Sequence, residues 1–227
     1  MKFSLRARIT AEFIGTAFLV AAVVGSGIMG ERLAGGNVAL ALLANTIATG
    51  AALAALILTF GPISGAHFNP AVTIAEAIEG RMDWREAASY ISAQGAGGVA
   101  GAMVAHVMFS LPLVSFSSHH RSGWHLVFSE FVATFGLLLV ILGCARLRPS
   151  AVALAVASYI TAAYWFTAST SFANPAVTLA RSLSDTFAGI RPLDAPLFIA
   201  AQVAGALTAT LCFRRLVRSA TPVGQVR

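Results

Sequence analysis

Two stretches, Ser64-Gly65-Ala66-His67-Phe68-Asn69-Pro70-Ala71-Val72-Thr73 and Thr170-Ser171-Phe172-Ala173-Asn174-Pro175-Ala176-Val177-Thr178, are two versions of one phrase. Asn is a good helix N-cap and Pro suits the first helical position, so each Asn-Pro-Ala should begin a helix. The helical stretches, 69–79 and 174–184, hold eleven residues each. At about 1.5 Å per residue, neither can cross a hydrocarbon core about 30 Å thick. Both sit between long apolar runs. Backbone that stops at membrane depth is tolerated only where protein or a water-filled cavity satisfies it.

Working outward, the repeat extends in both directions. Ala11-Glu12-Phe13-Ile14-Gly15-Thr16 pairs with Ser129-Glu130-Phe131-Val132-Ala133-Thr134, and Gln94-Gly95-Ala96-Gly97 pairs with Gln202-Val203-Ala204-Gly205. The matches come in the same order in each half. Apolar runs mark spans near 9–29, 38–60, 87–109, 124–144, 150–168 and 195–214. Each half, about 8–110 and 124–217, thus holds three spans and one short helix. An odd number of spans inserts the second half upside down, which makes an inverted repeat. The expectation is an all-α membrane protein: six transmembrane helices and two re-entrant half-helices in a single domain over 1–227.

Composition agrees with a membrane solvent. Of the 227 residues, 57% are hydrophobic and 11% are charged, and the mean hydropathy is +0.79. A soluble domain carries about 25% charged residues, so a soluble enzyme and a disordered chain are both poor readings. The net charge of +6 does not point to nucleic acid, because the basic residues sit between apolar runs rather than in one patch. Lys2, Arg6, Arg8, Arg81, Arg85, Arg146, Arg148, Arg214, Arg215, Arg218 and Arg227 fall on one side of the spans. Arg32, Arg121, Arg181 and Arg191 fall on the other. The positive-inside rule then places both termini in the cytoplasm. The run after Lys2, Arg6 and Arg8 is long for a signal peptide and lacks a convincing cleavage site, so it reads as a retained first span.

The capping Asn accepts from the first helical turn through its carbonyl oxygen, which leaves its NH2 with two free donors. Inverted symmetry brings Asn69 and Asn174 together near the midplane. Two positive helix ends then face one lumen, which opposes cations and suits neutral polar solutes. The residues before each Asn should descend as extended backbone and offer carbonyl acceptors.

At this point the sequence resembles the aquaporin and aquaglyceroporin channels, the major intrinsic proteins. The resemblance covers about residues 8–217. It implies an aquaporin-like fold, a homotetramer with one pore per subunit, and a pore midplane made by Asn69, Pro70, Ala71, Asn174, Pro175 and Ala176. It also implies that Glu12 and Glu130 lie inside the bundle and bond to the re-entrant loops as scaffold carboxylates. Counting from the two Asn residues, the family's outer constriction falls on Thr49, Ala162, Ser171 and Val177. The family norm at the last position is Arg, usually beside aromatics, and none of these four positions carries either. That departure implies a wider, less charged opening. Glycerol-like solutes, undissociated arsenite or related metalloids, and water are the implied permeants. The stretch around Thr170–Gly189 resembles a bacterial branch linked with arsenic resistance, which implies the bacterial cytoplasmic (inner) membrane.

Phe172 and Arg181 are further candidates for the outer mouth. Phe172 enters the constriction if the alignment slips by one. Arg181 lies one turn beyond Val177 on the same helical face; pairing with Asp185 or with lipid headgroups is the alternative. His119, His120 and His125 lie in a Ser-rich segment with no evident carboxylate, so no metal site is expected. Gly97–Gly101 reads as a small-residue stripe for helix packing. Cys144 and Cys212 read as packed core thiols. No nucleophile–base constellation and no cofactor motif appears, so an enzyme has little support. A secondary transporter remains an alternative, because inverted repeats with broken helices serve both.

Overall fold

The apolar runs fold as helices in a computed structural model that describes residues 3–218. Lys2 and Arg227, which entered the charge count above, lie outside the described residues. The long helices are α1 (Leu5–Leu33), α2 (Val38–Ser64), α4 (Trp84–Met108), α5 (Trp124–Leu147), α6 (Val152–Phe166) and α8 (Ala195–Arg218). The two half-helices are α3 (Pro70–Ile78) and α7 (Pro175–Arg181). A single 3-10 turn, Pro149–Ala151, leads into α6. Six long helices and two short ones therefore stand where the repeat placed them, and no strand occurs among the described residues. Five of the six, α6 taken together with its leading 3-10 turn, are long and apolar enough to cross a membrane. The remaining one, α4, is long enough but carries Ser89, Ser92, Gln94, His106 and a run of glycines.

The reason α4 can be less apolar lies in its packing. It lies along α1, and a Cβ built on Gly97 or Gly101 would run into the carbonyl oxygen of Phe13 or Ala17. Gly205 of α8 meets Phe131 of α5 in the same way. The small-residue stripe thus brings two backbones together, and each half repeats the device. The two halves meet through α2 and α6, and each half-helix packs on both α4 and α8. Large apolar side chains such as Phe18, Leu58, Trp124 and Leu154 face outward. Cys144 and Cys212 are half-buried and unpaired, rather than the core thiols expected. They lie near the C-terminal ends of α5 and α8.

One end of the bundle is tied by ion pairs: Arg8 with Glu86, Arg81 with Glu76 at 2.8 Å, and Arg214 with Glu79. Arg214 also donates to the Ile78 carbonyl at the end of α3. A cation at a helix C-terminus is favourable, so this bond also anchors the half-helix.

Candidate functional site

At the centre, both half-helices begin as the capping rules require. Asn69 Oδ1 accepts from Ala71 N–H at 2.9 Å, and Asn174 Oδ1 accepts from Ala176 N–H at 2.9 Å and Val177 N–H at 3.2 Å. The other end of each amide crosses to the opposite half. Asn69 Nδ2 donates to the Ala173 carbonyl at 2.7 Å, and Asn174 Nδ2 donates to the Phe68 carbonyl at 2.8 Å. Each Asn therefore binds the residue that precedes its symmetry mate. One N–H of each amide remains for the lumen, where the sequence suggested two. The second is spent on joining the halves.

The approach loops differ from the expected extended chain. Ala66, Phe68, Thr170, Ser171 and Ala173 all have positive φ, between 47° and 63°. Such left-handed residues cost roughly 1–3 kcal/mol each and persist only where neighbours enforce them. The enforcing groups are Glu12 and Glu130, both fully buried. Glu12 accepts from Ser64 Oγ at 2.6 Å, His67 N–H at 3.0 Å, Phe68 N–H at 2.7 Å and Gln94 Nε2 at 2.8 Å. Glu130 accepts from Phe172 N–H at 2.9 Å, Ala173 N–H at 2.8 Å and Gln202 Nε2 at 2.6 Å. Gln94 and Gln202 pass the chain on to Thr73 and Thr178, whose hydroxyls donate to the Asn69 and Asn174 carbonyls. Two matched networks thus hold the two loops.

A cavity of about 590 Å³ runs through this centre. Its walls are largely apolar, with Leu53, Val72, Val156 and Val177 among them. Arg81 and Arg146 stand at one end, and Phe172 and Arg181 at the other. Of the four expected constriction residues, Thr49, Ser171 and Val177 line this cavity. Ala162 does not: it is exposed on the outside of the bundle. The lining residues of α6 are instead Val152, Val156, Ile160 and Tyr164, spaced by about one turn each. Two residues of helix rotate the side chain by about 200°, so Ala162 faces away from the side that Ile160 and Tyr164 share. Tyr164 is the residue that counting missed. Its hydroxyl lies 3.2 Å from Thr49 Oγ1. Extending the one-turn spacing from Val156 through Ile160 would have found it.

The outer mouth is also less bare than the four positions suggested. Arg181 is only 2% exposed and lines the cavity. Its Nε donates to the Ala188 carbonyl, and its guanidinium lies 3.3 Å from the Phe172 ring centre. It does not pair with Asp185, which instead accepts from Ser118 N–H at 2.8 Å and Ser118 Oγ at 2.9 Å. Ser118 holds that carboxyl below its ordinary range, chiefly through its backbone N–H. His119 Nδ1 is 3.9 Å from the same carboxylate, so the histidine segment does have an acidic neighbour. The segment before α5 also closes over the mouth: Arg121 donates to the Gly189 carbonyl at 2.8 Å and lies 5.0 Å from the Phe172 ring. An aromatic ring, a phenol and a guanidinium therefore reach the mouth from positions adjacent to the counted ones.

The family described as Major intrinsic protein matches residues 1–150 and 144–227. The chain belongs to that family. Its members form membrane channels that pass small neutral solutes and water. Aquaglyceroporin AqpS of Rhizobium meliloti (strain 1021) is 53% identical over 222 residues, 98% of this chain and 95% of its own. Aquaporin NIP1-4 of Oryza sativa subsp. japonica is 35% identical over 147 residues, 64% of this chain and 52% of its own. The X-ray structure of the aquaglyceroporin from Plasmodium falciparum superimposes with a TM-score of 0.75, covering 94% of this chain and 97% of that one. At 19% identity, that last likeness bears on the fold alone.

Proposed function

We propose that this chain is a passive channel for small neutral solutes: glycerol-like polyols, undissociated arsenite or related metalloid hydroxides, and water. One observation carries the reading: two capped half-helices meet head to head inside a single apolar-walled cavity, each Asn keeping one N–H for a passing oxygen. Apolar walls hold solutes weakly, and the few polar groups orient them. Val177 leaves an uncharged wall where a guanidinium is usual, which favours solutes larger than water. Tyr164 and Phe172 bound the opening beside Thr49 and Ser171, and Arg181 stands one turn beyond Val177 on α7. A coupled transporter would need an ionisable group at the midplane site. The two carboxylates nearest it are occupied by four and three hydrogen bonds and hold backbone instead.

The protein functions as a homotetramer in the bacterial cytoplasmic membrane with both termini inside. The positive-inside distribution supports that orientation. Light scattering on detergent-solubilised protein should return four protomers. The function is tested by proteoliposomes offered water, glycerol, urea and undissociated arsenite in turn. Linear, uncoupled flux of at least one organic or metalloid solute is expected. Saturating flux that follows a proton gradient would reverse the reading in favour of a transporter.

A further inference from the structure

The outer end of the cavity carries two guanidinium groups, Arg181 and Arg121, and neither makes a salt bridge to a carboxylate among the described residues. Arg181 is buried with its face against Phe172 and its Nε committed to the Ala188 carbonyl. Its two terminal nitrogens have no protein partner among the described residues. Arg121 shares the same ring, and its side-chain bonds go only to the neutral carbonyls of Gly189 and Ser169, at 2.8 and 3.4 Å. The nearby carboxylates are already engaged. Asp185 is held by Ser118, Asp194 by Arg191 at 2.8 Å and by the Arg121 N–H at 2.9 Å, and Glu130 by the loop backbone and Gln202. Ser171 lines the same cavity, is 2% exposed, and has a hydroxyl with no partner among the described residues.

A guanidinium stacked on a ring offers its edge, and that fork matches two oxygens of an oxyanion. We propose that the outer mouth is a binding site for a small oxyanion, held by the Arg181 terminal nitrogens and the Ser171 hydroxyl, with Arg121 supplying the second charge. The bound anion stands where neutral solutes enter and slows them. The binding step is independent of the channel reading, while the slowing rests on it.

Inorganic phosphate is the probe. In purified protein, its phosphorus NMR line should broaden, and external phosphate should slow glycerol entry into proteoliposomes when ionic strength is matched with chloride. Arg181→Gln should weaken both effects by about 10-fold or more, and Arg121→Gln and Ser171→Ala by about 3-fold or more. Helical circular dichroism confirms that each variant is folded. If Arg181→Gln does not fold, the other two variants decide. Absence of broadening at tens of millimolar phosphate overturns the site. So does wild-type broadening in both Arg121→Gln and Ser171→Ala. Broadening with no glycerol flux above empty vesicles would sink the channel reading and leave the site standing.

Discussion

Replacing Asn174 by Asp tests the electrostatic role of the midplane most directly. Asp keeps an oxygen for the Ala176 and Val177 N–H groups, so α7 remains capped. It loses the donor to the Phe68 carbonyl and places a negative charge beside the lumen. Each half-helix N-terminus acts as about +0.5 charge. A unit charge about 4 Å away, at an effective dielectric constant near 20, contributes about 4 kcal/mol. The two helix ends together therefore oppose a passing cation by about 4 kcal/mol, and the carboxylate cancels nearly all of it. Cation leak should rise by about 10³-fold, since about 1.4 kcal/mol is tenfold.

Asn174→Ala is the control. It costs about 1 kcal/mol of cap and about 1–3 kcal/mol for the stranded Phe68 carbonyl, yet adds no charge. The assay is proton and potassium leak in proteoliposomes under a set membrane potential, with water flux measured on the same vesicles. If Asn174→Asp and Asn174→Ala leak equally while both still pass water, the half-helix charges do not govern cation exclusion.

Three further outcomes are expected. Val177→Arg should cut glycerol and arsenite flux far more than water flux, and the effect should be larger when Arg181 is also replaced by Ala. An unchanged solute-to-water ratio at normal expression would remove Val177 from the filter. Glu130→Gln weakens three charge-assisted bonds that hold left-handed residues, so it should lower stability by about 2–4 kcal/mol in denaturant titration; a loss below about 0.5 kcal/mol would argue against the strut. Asp185 has its carboxyl held below its ordinary value of 3.8, so its latch on Ser118 is present at neutral pH and lost as pH falls through the folded value. The melting-temperature gap between wild type and Asp185→Asn should narrow as pH falls below 3.8, and a gap that stays constant all the way down the acid titration would contradict this.

Much of the architecture was legible without coordinates because it rests on local rules and on repetition. Asn followed by Pro dictates a cap and a first turn wherever it stands. Span length follows from the thickness of hydrocarbon, and the matched Glu, Asn and Gln positions fix the inverted repeat. The glycines at 97 and 101 already announced a close helix contact. Glu12 and Glu130 were legible only through the family resemblance, since nothing local says which backbone they would hold.

Tertiary structure alone decided the rest. Counting back from Asn174 chose Ala162, because counting treats the chain as a line, while the rotation of α6 is set by its packing against α2 and α5. That rotation brings Tyr164 to Thr49 and turns Ala162 outward. The second donor of each Asn amide was assigned to the lumen, because its partner carbonyl lies about a hundred residues away in the other half. The place of Arg181 was equally hidden. Whether a guanidinium reaches solvent, a carboxylate or a pore depends on the loop that returns to it. Here Ala188 and Phe172 take its Nε and its face and leave its edge at the mouth. Caps, span lengths and repeats are properties of short segments, so the sequence determined them. The facing of each side chain across the lumen comes from contacts between distant segments, and only the folded chain supplies those.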